Sequence, residues 1–387
     1  MNNQSLTANW NYPTRIRVGA GRLNELPQAC QELGMRAPLL VTDPGLAPSL
    51  LVENALSLLR AAGIPVAVFS QIKANPTGEQ VMDGVKVYRH GAHDGVIAFG
   101  GGSAIDAAKA IALMVGQQRA LWDFEDVGDN WQRVIVETMA PVIAIPTTAG
   151  TGSEVGRASV ITDSQHQIKK IIFHPRMLPA LVILDPKLTV GLPKPITAAT
   201  GIDALSHCLE AYCAPAYHPM AEGIAMEGIR LIKDNLVRAY QEGTDLCART
   251  NMLVASTMGA TAFQRGLGAM HALAHPLGAL YDAHHGRLNA ILMPYVLRAN
   301  RPAIEDKIVR LAQYLSLDHG FDGFLDWILT LRLAVGIEPS LAALGINEEH
   351  IDRLATMATE DAAAGSNPII FTQDQYKAML YSALHGI

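Results

Sequence analysis

A change of hydrophobic rhythm near the middle constrains this chain most. In the first half, short β-branched runs at 38–43 (PLLVTD), 66–70 (VAVFS), 95–100 (GVIAFG), 142–146 (VIAIP) and 181–185 (LVILD) alternate with stretches long enough for one helix, such as 49–62 and 78–90. Short apolar runs bounded by turn residues read as buried strands, and repeated strand–helix–strand units build a parallel sheet. Residues 158–173 (ASVITDSQHQIKKIIF) read as a hairpin beside that sheet. After Pro193 and Pro195 the strand-like runs almost vanish, and Ala/Leu/Met-rich stretches at 197–212, 219–240, 246–262 and 304–315 predict helices. The expectation is two domains, as 387 residues would suggest. Residues 1–190 form an α/β domain suited to a dinucleotide, and residues 191–387 an all-helical domain.

Charge and cysteine usage narrow the partners. A net charge of −6 without a polybasic run offers little to nucleic acid or to an anionic membrane surface. The start, MNNQSLTANWNYPTRIRVGAG, has no basic segment followed by an apolar core, and no apolar stretch reaches membrane-spanning length. Cys30, Cys208, Cys213 and Cys247 are scattered without a CxxC pair. They read as reduced thiols of a cytoplasmic protein and remove a cysteine-ligated zinc site from consideration.

Two glycine-bearing turns point to a cofactor. Gly100, Gly101, Gly102 and Ser103 follow a strand and open a helix, where backbone can approach a pyrophosphate and free N–H groups meet it. Ser103 reads as the N-cap of that helix. Asp43 ends an earlier strand, where a carboxylate can accept hydrogen bonds from a ribose and repel a 2′-phosphate, which favours NAD over NADP. Residues 146–153 (PTTAGTGS) form a second loop of small and hydroxyl side chains after a strand. Taken alone, each is equally a tight turn or a capping carboxylate.

The second half concentrates histidine in apolar helices. Asp203 and His207 are four apart, on one helix face; His271 and His275 share that spacing; His284 and His285 are adjacent. Imidazoles with a carboxylate suit a divalent ion such as Fe²⁺ or Zn²⁺ with a position left for a substrate oxygen. Spacing alone does not choose between His271 and His275, nor between His284 and His285.

Together these motifs resemble the iron-containing (group III) alcohol dehydrogenases. The match consists of GGGSxxDxAK at 100–109, PTTAGTGSE at 146–154, GxDAxxH at 201–207, GLGxxHxxxHPLG at 266–278 and HGxxNA at 285–290, in family order along nearly the whole chain. The resemblance implies a Rossmann-like N-terminal domain and an all-helical C-terminal domain, the two-domain plan shared with dehydroquinate synthase, with a metal in the cleft between them. It implies Asp203, His207, His271 and His285 as ligands of iron, with zinc accommodated by the same donors. His275 is then left near the nicotinamide for proton transfer. It implies Asp43, Asn75 (in the element NPT), Gly101, Gly102, Ser103, Asp106, Thr147, Thr148 and Lys169 as positions on the NAD side. The implied activity interconverts a small primary alcohol and its aldehyde with NAD(H), in a homodimer or larger homo-oligomer. A glycerol dehydrogenase-like polyol enzyme and a non-catalytic NAD-binding module are the alternatives, and the full DxxxH…H…HG set speaks against both.

The chain departs from the family around the ligands. Phe263-Gln264-Arg265 stands where small or amide residues are common, Arg287 follows His285 by two, and His284 replaces a frequent proline. Guanidinium is a preferred partner of carboxylate and sulfonate. Arg265 and Arg287 are therefore candidate substrate residues for an aldehyde with a distal anionic group, such as a semialdehyde.

Overall fold

The computed structural model describes residues 14–166 and 168–386. They divide into two compact units, one running through Gly191 and the other beginning at Leu192.

The first unit contains β1 (Arg15–Val18), α1 (Leu26–Glu32), β2 (Leu39–Val41), α2 (Leu50–Ala61), β3 (Ala67–Phe69), α3 (Gly78–His90), β4 (Val96–Gly100), α4 (Gly102–Met114), β5 (Val142–Pro146), β6 (Ala158–Asp163), β7 (Ile168–Phe173) and β8 (Leu181–Leu184). Six strands form one parallel sheet in the order β3-β2-β4-β5-β8-β1, while β6 and β7 pair antiparallel as a separate hairpin. Strands β2, β4, β5 and β8 are buried throughout, as sheets covered on both faces require. Leu40, Ile97, Phe99, Ile143 and Ile145 share one core with Leu26 and Cys30 of α1 and Val52 and Leu59 of α2. Fully burying one such aliphatic side chain is worth about 1.5–3 kcal/mol. Alternation puts Ala98 and Ala144 on the opposite face, where α4 crosses β4 and β5 and only small side chains leave room for it. The edge strand β1 was not among the expected strands: its RIRV run is half charged and largely accessible, and carries no buried-strand pattern.

Topology locates the ligand crevice. From β2 the chain passes through α2 outward to β3, then returns through α3 to β4 on the other side of β2. The direction of winding reverses between β2 and β4, and a crevice opens beyond their carboxyl ends.

The second unit is helical: α5 (Lys194–Cys213), α6 (Pro219–Gln241), α7 (Leu246–Ala262), α8 (Ala269–Tyr281), α9 (His285–Tyr314), α10 (Gly320–Ala334), α11 (Ile351–Glu360) and α12 (Gln373–His385). Helix α5 is buried without a break from Thr197 to Cys213 and packs against α6, α7 and α9. A helix buried on every side must pair its polar residues or use them. The helix expected at 304–315 reaches back to His285, because Pro294 and Pro302 lie inside α9 instead of ending it. Each removes one N–H from the helix ladder, and around Pro294 the burial of Leu288 to Leu297 outweighs that loss. Among the described residues no helix is long and apolar enough to cross a membrane.

Candidate metal and nucleotide sites

The first unit gathers the nucleotide-side residues at the crevice. Asp43 follows β2 and divides its carboxylate: Oδ1 accepts the N–H groups of Gly45 and Leu46 at 2.9 Å each, while Oδ2 lies 3.6 Å from where a β-carbon on Gly100 would stand. Helix α4 starts without a capping side chain, in contrast to α2 and α3, which Ser49 and Thr77 cap. The cap position belongs to Gly101, not Ser103; Ser103 is already helical and its hydroxyl donates to the Ala74 carbonyl. A β-carbon on Gly102 would lie 2.5 Å from Thr151 Cγ2, and one on Gly101 would lie 3.4 Å from Thr148 Oγ1, so the two glycines let the 146–153 loop close onto the start of α4. Thr147 donates its backbone N–H to the Gly100 carbonyl at 3.0 Å.

The hairpin packs beside α4 and the turn before α3. Thr162 donates to the Pro76 carbonyl at 2.7 Å and pairs across the hairpin with Lys169, so β6 lies against the Asn75–Pro76–Thr77 turn and Lys169 stands on the next strand. Asp106, expected at the cofactor, is a brace instead. Its Oδ1 accepts the Ser153 hydroxyl at 2.5 Å and lies 3.2 Å from Lys109 Nζ, and its Oδ2 accepts the Val160 N–H at 3.0 Å. Both oxygens are occupied inside the unit, so Asp106 shapes the loop that faces the crevice. Lys109 is buried beside it and donates to the Ser153 and Gly156 carbonyls, and burial holds its ammonium below the usual range against the pull of Asp106.

In the helical unit three helices converge on one point. Asp203 and His207 come from one face of α5, His271 from the first turn of α8, and His285 from the first residue of α9. Ligand atoms of Asp203, His207 and His271 all lie within 4.8 Å of one another, and His285 Nε2 is 3.6 Å from Asp203 Oδ1. His207 stacks on His271 with ring centroids 4.8 Å apart, and the His271 and His285 centroids are 5.1 Å apart. Gly286 makes this approach feasible: a β-carbon there would collide with the Ala199 carbonyl of α5. His275 borders the same cluster, its ring centroid 5.9 Å from that of His271. His284 is the exposed residue preceding α9, and His275 lies one turn beyond His271, stacked at 5.4 Å on His285.

The electrostatics suit a cation. Burial would raise the Asp203 carboxyl, but His207, His285, His271 and the Asn289 amide outweigh it and hold it low. Burial pushes His271 and His285 well below the usual imidazole range, with neighbouring histidines adding to the effect and Asp203 opposing it. An anionic carboxylate and neutral imidazoles are the protonation states a divalent metal needs. Among the described residues, His207 Nδ1 and Asn289 Oδ1 are buried in this cluster without a hydrogen-bond partner. The residues present fit a divalent ion.

Three polar residues beside the cluster escaped the sequence reading. The Asn289 amide donates to Asp203 Oδ1 at 3.0 Å and faces His285 Nε2 at 3.1 Å and His271 Nε2 at 3.3 Å. Glu210 lies 2.6 Å from His271 Nδ1 and accepts the backbone N–H groups of Gly268 and Met270 at 2.7 Å each. Burial pushes its carboxyl up to about 7, against those two N–H groups. Asp361 Oδ2 lies 2.9 Å from His275 Nδ1. Helical spacing could have found the first two, since Asn289 is four residues from His285 and Glu210 seven from Asp203. Asp361 carries no local signal, being 86 residues from its partner.

The two arginines have other partners. Arg265 is buried, and its guanidinium donates to the carbonyls of Ala216 (2.6 Å), Ala211 (3.1 Å) and Tyr212 (2.9 Å), with Glu222 at 3.4 Å. It closes the C-terminus of α5, so its expected role at a substrate anion gives way to a structural one. Arg287 pairs with Glu338, Nε to Oε2 at 3.0 Å, and remains partly accessible.

Known proteins resemble this chain along nearly its whole length. The family model for iron-containing alcohol dehydrogenase matches residues 13–186, and the model for the C-terminal part of the Fe-containing alcohol dehydrogenase family matches residues 197–384. A 4-hydroxybutyrate dehydrogenase of Cupriavidus necator is 38% identical over 96% of this chain and 99% of its own length. Among solved structures, a 1,3-propanediol oxidoreductase superposes with a TM-score of 0.93 at 35% identity, covering 98% of this chain and all of that one. The sulfoacetaldehyde reductase of Bifidobacterium kashiwanohense, solved in complex with NAD⁺, superposes with a TM-score of 0.89 at 29% identity, covering 97% of this chain and 99% of that one. The chain belongs to the iron-containing alcohol dehydrogenase family and is an oxidoreductase of the alcohol dehydrogenase type.

Proposed function

We propose that this protein interconverts a primary alcohol bearing a distal anionic group and the matching aldehyde, using NAD(H) and one divalent metal, iron in the first place, held by Asp203, His207, His271 and His285. The observation that carries the metal is the convergence of these four side chains from α5, α8 and α9. When bound, the ion supplies Lewis-acid polarisation of the substrate oxygen, and the nicotinamide supplies or accepts the hydride. The protein's own groups do the rest. His271 and His285 stay neutral and present lone pairs; Asp203 contributes the negative charge. A carboxylate only accepts, so Asp361 keeps the His275 proton on Nδ1 and leaves Nε2 to take up or release a proton at the substrate side. On the nucleotide side, the uncapped start of α4 would offer N–H groups to the pyrophosphate, and Asp43 Oδ2, beside Gly100, would accept from the ribose.

The anionic substrate class is supported by two similar proteins, the 4-hydroxybutyrate dehydrogenase and the sulfoacetaldehyde reductase. With Arg265 committed to α5, Arg287 is the candidate guanidinium, a substrate carboxylate competing there with Glu338. The working form is a cytoplasmic homo-oligomer, in keeping with four free cysteines and the family. Steady-state oxidation of 4-hydroxybutyrate and 1,3-propanediol with NAD⁺ tests the class. The expected kcat/KM ratio is at least about tenfold, ~1.4 kcal/mol, in favour of the anion. Equal values, unchanged in Arg287→Ala, would discard the anionic class.

A further inference from the structure

Helix α8 carries both His271 and His275, yet its own sequence supplies no cap: Gly268 precedes it and has no side chain to offer. Its first N–H groups are met from elsewhere in the chain. Glu210, on α5, accepts from Gly268 through Oε2 and from Met270 through Oε1, and Asn367 Oδ1 accepts from Ala269 at 3.0 Å. Gly268 leaves space for both groups, since a β-carbon there would lie 2.7 Å from Asn367 Oδ1 and 2.9 Å from Glu210 Oε1. The same Oε2 also faces His271 Nδ1 at 2.6 Å. Glu210 stands on the α5 face that carries Asp203 and His207, two turns beyond the first and one beyond the second.

We propose that Glu210 is the positioning residue of the metal centre, resting on the ligand assignment above: it holds His271 as the Nδ1–H tautomer, so that Nε2 alone faces the other ligands. Each Glu210 oxygen already accepts a backbone N–H, and in its carboxylate form, the form present at pH 8, the group has no proton to give, so the imidazole is the donor across the 2.6 Å contact. The lone pair on Nε2 then points to Asp203, His285 and Asn289, where Asn289 Nδ2 lies 3.3 Å from it. One side chain thus fixes three things together: the start of α8, the rotation of the His271 ring and the nitrogen that carries its proton. Carboxylates that accept the second ring N–H of a ligand histidine commonly change metal affinity by about 10–100-fold when removed.

Glu210→Gln separates these roles from simple helix capping. A glutamine has one acceptor oxygen for three donors, and its amide can donate to Nδ1 and reverse the tautomer. Asn367→Ala removes the other cap of the same helix end without touching His271. Zn²⁺ affinity, measured at pH 8 by competition with a chromophoric chelator, is expected to weaken about 10–100-fold in E210Q and to stay within about threefold in N367A. Nitrogen-15 spectra of histidine-labelled, metal-free protein are expected to show His271 as Nδ1–H in the wild type and a shifted tautomer balance in E210Q. If E210Q does not accumulate folded, E210D replaces it; keeping the charge, it should keep the Nδ1–H tautomer. Wild-type affinity in E210Q, an equal loss in N367A, or an Nε2–H tautomer in wild type or E210D would overturn the proposal. A wild type that binds no Zn²⁺ would overturn the ligand assignment as well.

Discussion

Asp43 uses its two oxygens for different purposes. Oδ1 holds the turn after β2 through Gly45 and Leu46, and Oδ2 is left beside Gly100. Asparagine at this position keeps one oxygen for the turn and loses the charge that repels a 2′-phosphate. Asp43→Asn is therefore expected to raise the NADPH-to-NADH ratio of kcat/KM about tenfold, the ~1.4 kcal/mol of a relieved like-charge contact. Steady-state kinetics with both nucleotides check it, and an unchanged ratio would reduce Asp43 to a turn residue. Such double use explains what is hard to read from a sequence. The strand-end position of Asp43 was legible, but its division of labour was not. Asp106 matched a cofactor motif, and only its contacts with Ser153, Val160 and Lys109 show it bracing a loop. Arg265 looked like a substrate group because its distance from His271 along the chain is short, while its partners are carbonyls about 50 residues earlier.

At the scale of elements, α5 organises the helical unit, and its ends matter as much as its ligand face. Its last carbonyls are buried and need donors. Arg265 reaches Ala211 and Tyr212, and Lys307 Nζ reaches Tyr212 and Ala214 at 3.1 and 3.3 Å, with Glu222 between the two cations. Removing the guanidinium strands several buried acceptors and one carboxylate. Arg265→Ala should cost about 2–4 kcal/mol of stability, read as a lower midpoint in urea. Metal and 4-hydroxybutyrate turnover should survive in the folded fraction. Normal stability with a selective loss of the anionic substrate would restore Arg265 to the substrate site. Helix periodicity revealed α5, α6 and α7 almost to their ends, because long amphipathic or all-apolar stretches carry a strong signal. It failed for α9, which runs through two prolines, Pro294 held in a buried segment, and for β1, whose pairing with β8 is set by backbone hydrogen bonds instead of side-chain pattern.

At the scale of the molecule, the chain divides its chemistry between two units. The parallel sheet and its hairpin collect the glycines, Asp43, Asn75 and Lys169; the helical unit holds every metal-ligand candidate and their polar supports. This division was legible as the change of rhythm near residue 190, because parallel-sheet strands and buried helices differ in period. Which histidines meet was not, since the close packing of α9 with α5 that Gly286 permits brings His285 to Asp203, and the packing of α8 on α9 brings His271 beside it. The central claim is that four side chains hold one divalent ion and that His275 acts beside it without binding it. Metal content of anaerobically purified protein, paired with turnover, tests this most directly. About one equivalent of divalent metal per chain is expected in the wild type and in His275→Ala, the latter with turnover lowered about 10²–10⁴-fold. In His271→Ala, metal and turnover should be lost together. Full metal in His271→Ala, or loss of metal in His275→Ala, would contradict the assignment.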